Sequence, residues 1–303
     1  MNIPCPICRE PRTRPLVREA ARALRGCPSC GAAYVWPQPT RAAQQEASDR
    51  AAAQRLPRER SEGVIRRIRG RDAEILDFMD RQGCAGTLLD IGCGRGILME
   101  GARARGWKVT GVEPARSVAE EGVRERGLDI RVGTLEEAGL PAASFDAVIF
   151  SHSLEHLPDP AGTMREAAGL MKPGGWMYIE TPNFGSLSRR ILGRRWWNVD
   201  LDNHLFLFSP RAIEFLGHAA GLAVRDSGGT HFDAPAVLIR LAYFRVPAMN
   251  DLACINECRE RALSVRGAWR AFRILQSSAV ALLGRSFLND YLLCWLQKPA
   301  NPR

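Results

Sequence analysis

Between residues 84 and 233, short apolar runs alternate with stretches in which apolar positions recur every three to four residues. The runs predict strands near 87–91, 108–112, 129–132, 145–150 and 176–181, and the periodic stretches predict helices near 96–105, 115–126 and 160–171. Strand–helix alternation with short connections predicts a parallel sheet covered on both faces. Farther on, Ser209-Pro210 reads as the capped start of a helix that ends at Gly221, and a strand near 222–227 follows. Upstream, Val64, Ile65, Ile68, Ile75, Leu76 and Met79 fall at helical spacing and predict helices ahead of the first core strand.

The first core strand carries the most chemistry. In Leu88-Leu-Asp-Ile-Gly-Cys-Gly-Arg-Gly-Ile97 an apolar run reaches an acid, Asp90, turns through Gly92, Cys93, Gly94 and Gly96, and opens a helix. Glycines belong where backbone turns sharply and a ligand approaches main-chain N–H groups. The next strand delivers Glu113, followed by Pro114, to its carboxyl end, where a carboxylate accepts both hydroxyls of a ribose. A dinucleotide loop places its third glycine one position later, where Ile97 stands, and Asp90 suits a cationic ligand better than a pyrophosphate.

Leu88–Gly96 resembles motif I of the class I S-adenosylmethionine-dependent methyltransferases. Glu113 resembles their ribose-binding acid, and Phe145–Phe150 with Met171–Trp176 resembles their fourth strand and the turn before their fifth. The resemblance implies an α/β, Rossmann-like doubly wound seven-stranded sheet whose last strand, Tyr291–Leu296 here, returns antiparallel. It implies S-adenosylmethionine lined by Asp90, Gly92, Cys93, Gly94, Gly96, Glu113 and Pro114. The adenine is expected after strand three at Thr134 or the backbone of Leu135, where many relatives carry Asp. Ser151, just past strand four, is expected at the cofactor mouth.

Two pairs, Cys5-Pro-Ile-Cys8 and Cys27-Pro-Ser-Cys30, have metal-ligand spacing. Each pair sets two thiolates on one turn, and two such knuckles complete a tetrahedral S₄ shell for structural zinc. Redox and iron–sulfur use are the weaker alternatives. Cys84, Cys93 and Cys294 read as core thiols, while Cys254 and Cys258 share a helix face.

Methyl transfer to oxygen or carbon needs alignment with the sulfonium and a base for the acceptor proton. His204, in Asn203-His-Leu-Phe-Leu-Phe-Ser209, resembles the segment after strand five that supplies a catalytic histidine in zinc-ribbon sugar C-methyltransferases; the alternative is a hydrogen-bonded loop histidine. Ser153-Leu-Glu-His-Leu-Pro-Asp-Pro160 resembles a segment of ubiquinone-type O-methyltransferases, in which Glu155 and His156 match an acid and histidine associated with a divalent metal. Packing at a helix start is the alternative for both. Arg189, Arg190, Arg194 and Arg195 beside Trp196 and Trp197 suit a nucleotide-linked sugar, or form a surface turn with tryptophan packed inward.

The net charge of +9 divides as +6 over residues 1–83, −4 over 84–185 and +7 over 186–303. Basic flanks around an acidic core permit a phosphate-bearing acceptor or RNA, and equally an ordinary solvated surface. Base methylation is disfavoured, because neither the Asn/Asp-Pro-Pro-aromatic tetrad nor a Pro-Cys nucleophile stands after strand four. An RNA-modifying methyltransferase remains the alternative to methylation of a saccharide, nucleotide sugar or secondary metabolite. The expected organisation is a zinc ribbon over 1–40, linker and helices over 41–83, and a methyltransferase core over 84–233 with an insertion at 183–208. A helical lid or homodimer segment with the final strand is expected over 234–303. No apolar run reaches the ~20 residues of a membrane span, and Met1-Asn-Ile-Pro-Cys5 lacks a signal-peptide core, so a cytoplasmic protein is expected.

Overall fold

The computed structural model describes residues 3–19, 21–40, 42–50, 62–230 and 289–300. In chain order these form β1 (Arg14–Arg18), β2 (Ala23–Gly26), β3 (Ala33–Trp36), α1 (42–50), α2 (Glu62–Arg81), β4 (Thr87–Ile91), α3 (Ile97–Ala104), β5 (Lys108–Glu113), α4 (Arg116–Arg126), β6 (Asp129–Val132), β7 (Phe145–Ser151), α5 (Pro160–Leu170), β8 (Met171–Pro182), α6 (Leu187–Leu192), β9 (Phe206–Leu207), α7 (Pro210–Ala219), β10 (Ala223–Thr230) and β11 (Tyr291–Gln297). The expected lid or dimer segment, with Cys254 and Cys258, lies outside the described residues.

The larger sheet runs β10-β11-β8-β7-β4-β5-β6. The β4–β5, β5–β6, β4–β7 and β7–β8 pairs are parallel. The backbone bonds Gly174 N–H to Lys298 O and Asn183 N–H to Asp290 O run in opposite chain directions, so β11 is antiparallel. This is the expected seven-stranded doubly wound arrangement. Strand order reverses beside β4, which opens a crevice at its carboxyl end.

Leu88, Leu89, Ile149 and Phe150 fill the sheet's interior, each burial contributing about 1.5–3 kcal/mol. Phe78 of α2 stacks on Trp295 of β11 at 3.8 Å between ring centroids. Asp159 caps α5 by accepting the Gly162 N–H, with Pro160 in the first turn. The largest boundary difference from expectation is at the start of β8. β8 starts at Met171 rather than near 176, because the Lys172-Pro-Gly-Gly175 turn is absorbed as a bulge against β7, where Phe145 pairs with Met171 but Ala147 pairs with Trp176. Gly174, at φ 81°, makes that bulge feasible.

The chain divides into two compact units. One gathers the described parts of 1–36, 181–213 and 227–293; the other gathers the described parts of 37–180, 214–226 and 294–303. In the first, a four-stranded sheet runs β1-β2-β3-β9. β9 comes from the stretch read as an insertion, and it pairs antiparallel with ribbon strand β3 through Ala33↔Leu207 and Tyr34↔Phe206. Leu24, Ala33 and Val35 of the ribbon pack with Leu192, Trp196, Leu201 and Leu207 in one hydrophobic cluster. Ribbon and insertion are therefore a single folded piece.

Candidate functional site

In the second unit, the β4–α3 loop is built on three left-handed glycines, with φ of 77°, 56° and 74° at Gly92, Gly94 and Gly96. The three are not equivalent. A Cβ on Gly92 would stand 2.5 Å from Ser153 Cβ, and one on Gly96 would meet Leu128, whereas among the described residues nothing lies within 4 Å of the corresponding point at Gly94. Gly94 thus turns an uncovered backbone face outward, as an approaching ligand requires. Glu113 reaches this loop from β5. Its Oε2 accepts the Gly94 N–H at 3.0 Å and its Oε1 accepts the Ala115 N–H at 2.8 Å. Ser151, at the carboxyl tip of β7, buries its Oγ without a hydrogen-bond partner among the described residues. An orphaned hydroxyl and an open glycine face both fit a bound S-adenosylmethionine.

Asp90 is buried beneath the loop. Burial, then Asp72 and Glu113, push its carboxyl up to about 8, against the pull of Arg71. Asp72 rises to about 6 through burial, opposed by its ion pair with Arg71 at 3.2 Å. The neighbouring Cys93 thiol is held well above its ordinary value by burial, Asp90 and Glu113, so it stays neutral. Pro114 accepts a hydrogen bond from Gln45 of α1 through its carbonyl. Thr134 and Glu137 form a reciprocal capping box: the Thr134 N–H donates to Glu137 and the Glu137 N–H to Thr134 Oγ1. The Thr134 side chain is committed to that turn, with Leu135 buried beside it.

His152 holds a central place beside the loop. It adopts φ 54°, uncommon for a side chain with Cβ. Its Nε2 lies 3.2 Å from Glu180 of β8 and its Nδ1 3.5 Å from Glu155. Burial opposes the imidazolium, yet Glu180 and Glu155 outweigh it and raise His152 to about 9. Tyr178 donates its hydroxyl to Glu180, and Arg71 lies 3.6 Å from the same carboxylate. Arg71, Asp72, Tyr178 and Glu180 were missed by motif reasoning. One signal existed: Asp72 interrupts the apolar stripe of Ile68, Ile75 and Leu76 on α2. Glu155 and His156 both lie on the 3₁₀ turn that follows β7.

The first unit holds the four cysteines, whose Sγ atoms all lie within 4.8 Å of one another. Cys5–Cys30 and Cys8–Cys27 are separated by 3.7 and 3.4 Å, too far for disulfides and close to the ~3.8 Å sulfur–sulfur edge of a tetrahedral zinc site. Gly31, at φ 78°, closes the second knuckle by donating its N–H to Cys27 O. The donor set fits zinc. His204 lies two residues before β9. Its Nδ1 contacts the Asn198 carbonyl at 2.8 Å, and its backbone N–H donates to Asp200 O. A carbonyl only accepts, so Nδ1 is the protonated nitrogen of this contact. Trp196 is packed inward rather than presented as a stacking face.

Residues 55–227 match the family described as methyltransferase domain. A ubiquinone biosynthesis O-methyltransferase of Aeromonas salmonicida is 34% identical over 157 residues, 48% of this chain and 66% of the relative. Its counterpart from Chromobacterium violaceum is 44% identical over 117 residues, 36% of this chain and 50% of the relative. The chain thus spans from half to about two thirds of these curated relatives. Among solved structures, a SAM-dependent methyltransferase from Archaeoglobus fulgidus aligns with a TM-score of 0.53 at 21% identity, over 80% of this chain and 98% of that one. Geranyl diphosphate C-methyltransferase from Streptomyces coelicolor, solved with S-adenosyl-L-homocysteine, gives 0.51 at 21% identity over 75% of each chain. These structural likenesses are of fold. By its glycine loop, its sheet and these relatives, the chain belongs to the methyltransferase-domain family and carries the class I S-adenosylmethionine-dependent methyltransferase fold.

Proposed function

We propose that the protein transfers the methyl group of S-adenosylmethionine to a hydroxyl oxygen of a small-molecule acceptor, a saccharide, nucleotide sugar or secondary metabolite. The observation that carries this reading is the Glu113–Gly94 hydrogen bond, which holds a carboxylate against the open face of the glycine loop. Choice of oxygen draws support from the O-methyltransferase relatives. The sulfonium supplies an already activated methyl group, so the protein's task is alignment and proton removal.

In this reading Glu113 takes the ribose diol, with Gly92, Cys93, Gly94, Gly96 and Pro114 walling the nucleoside and the backbone at Leu135 meeting the adenine. Asp90 faces the cationic methionine end, and Ser151 Oγ finds its partner in the cofactor. His204 Nε2 accepts the acceptor's hydroxyl proton as oxygen takes the methyl group. Glu155 and His156 shape the acceptor side, and zinc at Cys5, Cys8, Cys27 and Cys30 holds the ribbon.

Saturable binding of S-adenosylmethionine by calorimetry is the first test. A labelled-methyl screen of glycosides, nucleotide sugars, phenolic metabolites and bulk RNA is the second. Label in a small-molecule hydroxyl supports the assignment, and label confined to RNA overturns it.

A further inference from the structure

The described residues include a buried carboxylate unrelated to the glycine loop. Asp290, immediately before β11, is 1% exposed. Its Oδ1 accepts hydrogen bonds from Trp196 Nε1 at 3.1 Å and Ser186 Oγ at 3.2 Å, and its Oδ2 accepts one from Ser188 Oγ at 3.1 Å. All three donors lie in residues 183–208, roughly a hundred positions upstream. The backbone repeats the link, since the Asn183 N–H donates to Asp290 O and the Asn183 side chain to Asn289 O.

From Trp196 a short path leads to His204. The indole is buried in the cluster of Leu24, Leu201 and Leu207, so its one polar atom can donate only inward, to Asp290. The Trp196 carbonyl accepts the Val199 N–H at 2.9 Å and closes a turn over 196–199. Asn198 stands inside that turn, and its carbonyl receives His204 Nδ1. The indole held by Asp290 anchors residue 196, where that turn begins, and with the turn the carbonyl that selects the imidazole tautomer.

We propose that Asp290 is a positioning residue for His204, acting through Trp196 and the Asn198 carbonyl to keep the proton on Nδ1 and the lone pair on Nε2. The proposal rests on the base assignment only for its catalytic consequence; the tautomer itself is a property of the fold. Misplacing a catalytic group by ~1 Å can cost on the order of a hundredfold in rate, so kcat is where Asp290 acts.

The test uses the full chain with zinc bound. In Asp290→Ala, ¹⁵N NMR of the His204 ring should show the Nδ1-protonated form losing population. The kcat should fall about tenfold or more, and affinity for S-adenosylmethionine should stay within about twofold. Asp290→Asn keeps a carbonyl oxygen for the indole and should recover most of both. Trp196→Phe retains the ring but removes the donor; it should reproduce the Ala effect and add little when combined with it. An unchanged His204 tautomer in Trp196→Phe overturns the proposal, even if Asp290→Ala fails to fold. A shifted tautomer with full activity in His204→Ala would instead retire the base assignment and leave the positioning role standing.

Discussion

Glu113 Oε2 accepts the Gly94 N–H at 3.0 Å, so the acid that ends β5 and the middle glycine of the β4–α3 loop are fixed to each other before any ligand contact is considered. The second oxygen takes the Ala115 N–H at the start of α4. Glu113→Gln replaces one charge-assisted acceptor by an amide that repels one of these N–H groups. Cofactor affinity should fall about tenfold to a hundredfold, the equivalent of ~1.5–3 kcal/mol. Calorimetry reads the change, and undiminished affinity would remove Glu113 from the nucleoside site.

The glycines separate stability from binding. In Gly92→Ala the new methyl meets Ser153 Cβ at 2.5 Å, so melting temperature should drop markedly. Gly94→Ala meets nothing among the described residues and costs only ~1–2 kcal/mol for its left-handed backbone. Its methyl stands on the open face, so it should lose cofactor affinity out of proportion to stability. Thermal melts with and without S-adenosylmethionine distinguish the two, and equal affinity losses at equal stability would defeat the distinction.

Much of this loop was legible because positive φ leaves few residue choices. The helix start at Ser209-Pro210 and the strand series were legible from similar local rules. What escaped is nonlocal. β9 is two residues long and pairs with a strand about 170 residues earlier, which leaves no periodicity to read. Whether Trp196 faces inward or outward is decided by Asp290, far along the chain. The ring of charge around Asp90 came from α2 and β8, where Arg71 and Glu180 look like ordinary polar positions in sequence. Thr134-Leu-Glu-Glu137 does carry a capping-box signature in sequence.

Protonation of the buried acids sets a pH dependence. Asp90 stands at about 8 and Asp72 at about 6 against an ordinary 3.8, and His152 at about 9 against 6.5. Arg71 and Glu113 face the Asp90–Asp72 pair, and Glu180 and Glu155 face His152. In each case the folded value exceeds the unfolded one, so the native chain holds more protons and loses stability as pH rises. The windows are roughly 4–8, 4–6 and 6.5–9, with each group contributing at most about 1.4 kcal/mol per pH unit inside its own. Denaturant midpoints should therefore decline from pH 6 to 9, and Asp90→Asn should flatten the slope below pH 8. A cationic ligand favours ionised Asp90, so binding should release a proton, seen as buffer-dependent calorimetric enthalpy. A flat stability profile would show that Asp90 is already ionised near neutrality.

Zinc content offers a separate check on the ribbon. Four thiolates within 4.8 Å should hold one zinc per chain, and Cys27→Ser should abolish stoichiometric binding in elemental analysis. Because β3 carries β9, loss of metal should also slacken 205–207, with faster amide exchange at Val35, whose N–H donates to Leu205 O. Stoichiometric zinc in Cys27→Ser would point to other ligands.

Arg95 lies between Gly94 and Gly96, yet its side chain turns inward to pair with Glu121 of α4 at 2.9 Å, the two being 2% and 4% exposed. Arginine is almost never fully buried unless it is paired. Gly122 reinforces the contact, since a Cβ there would approach the Arg95 carbonyl at 2.8 Å. Removing one ion strands the other, a loss of about 3–5 kcal/mol, whereas replacing both with apolar groups of similar volume is close to neutral. Arg95→Met should thus lower the melting temperature sharply, and Arg95→Met with Glu121→Leu should regain most of it. The double variant then isolates geometry from charge. If the ion pair sets the direction of the Gly94 N–H, the stable double variant still binds S-adenosylmethionine more weakly than the parent; if its affinity matches the parent, the pair serves the fold alone.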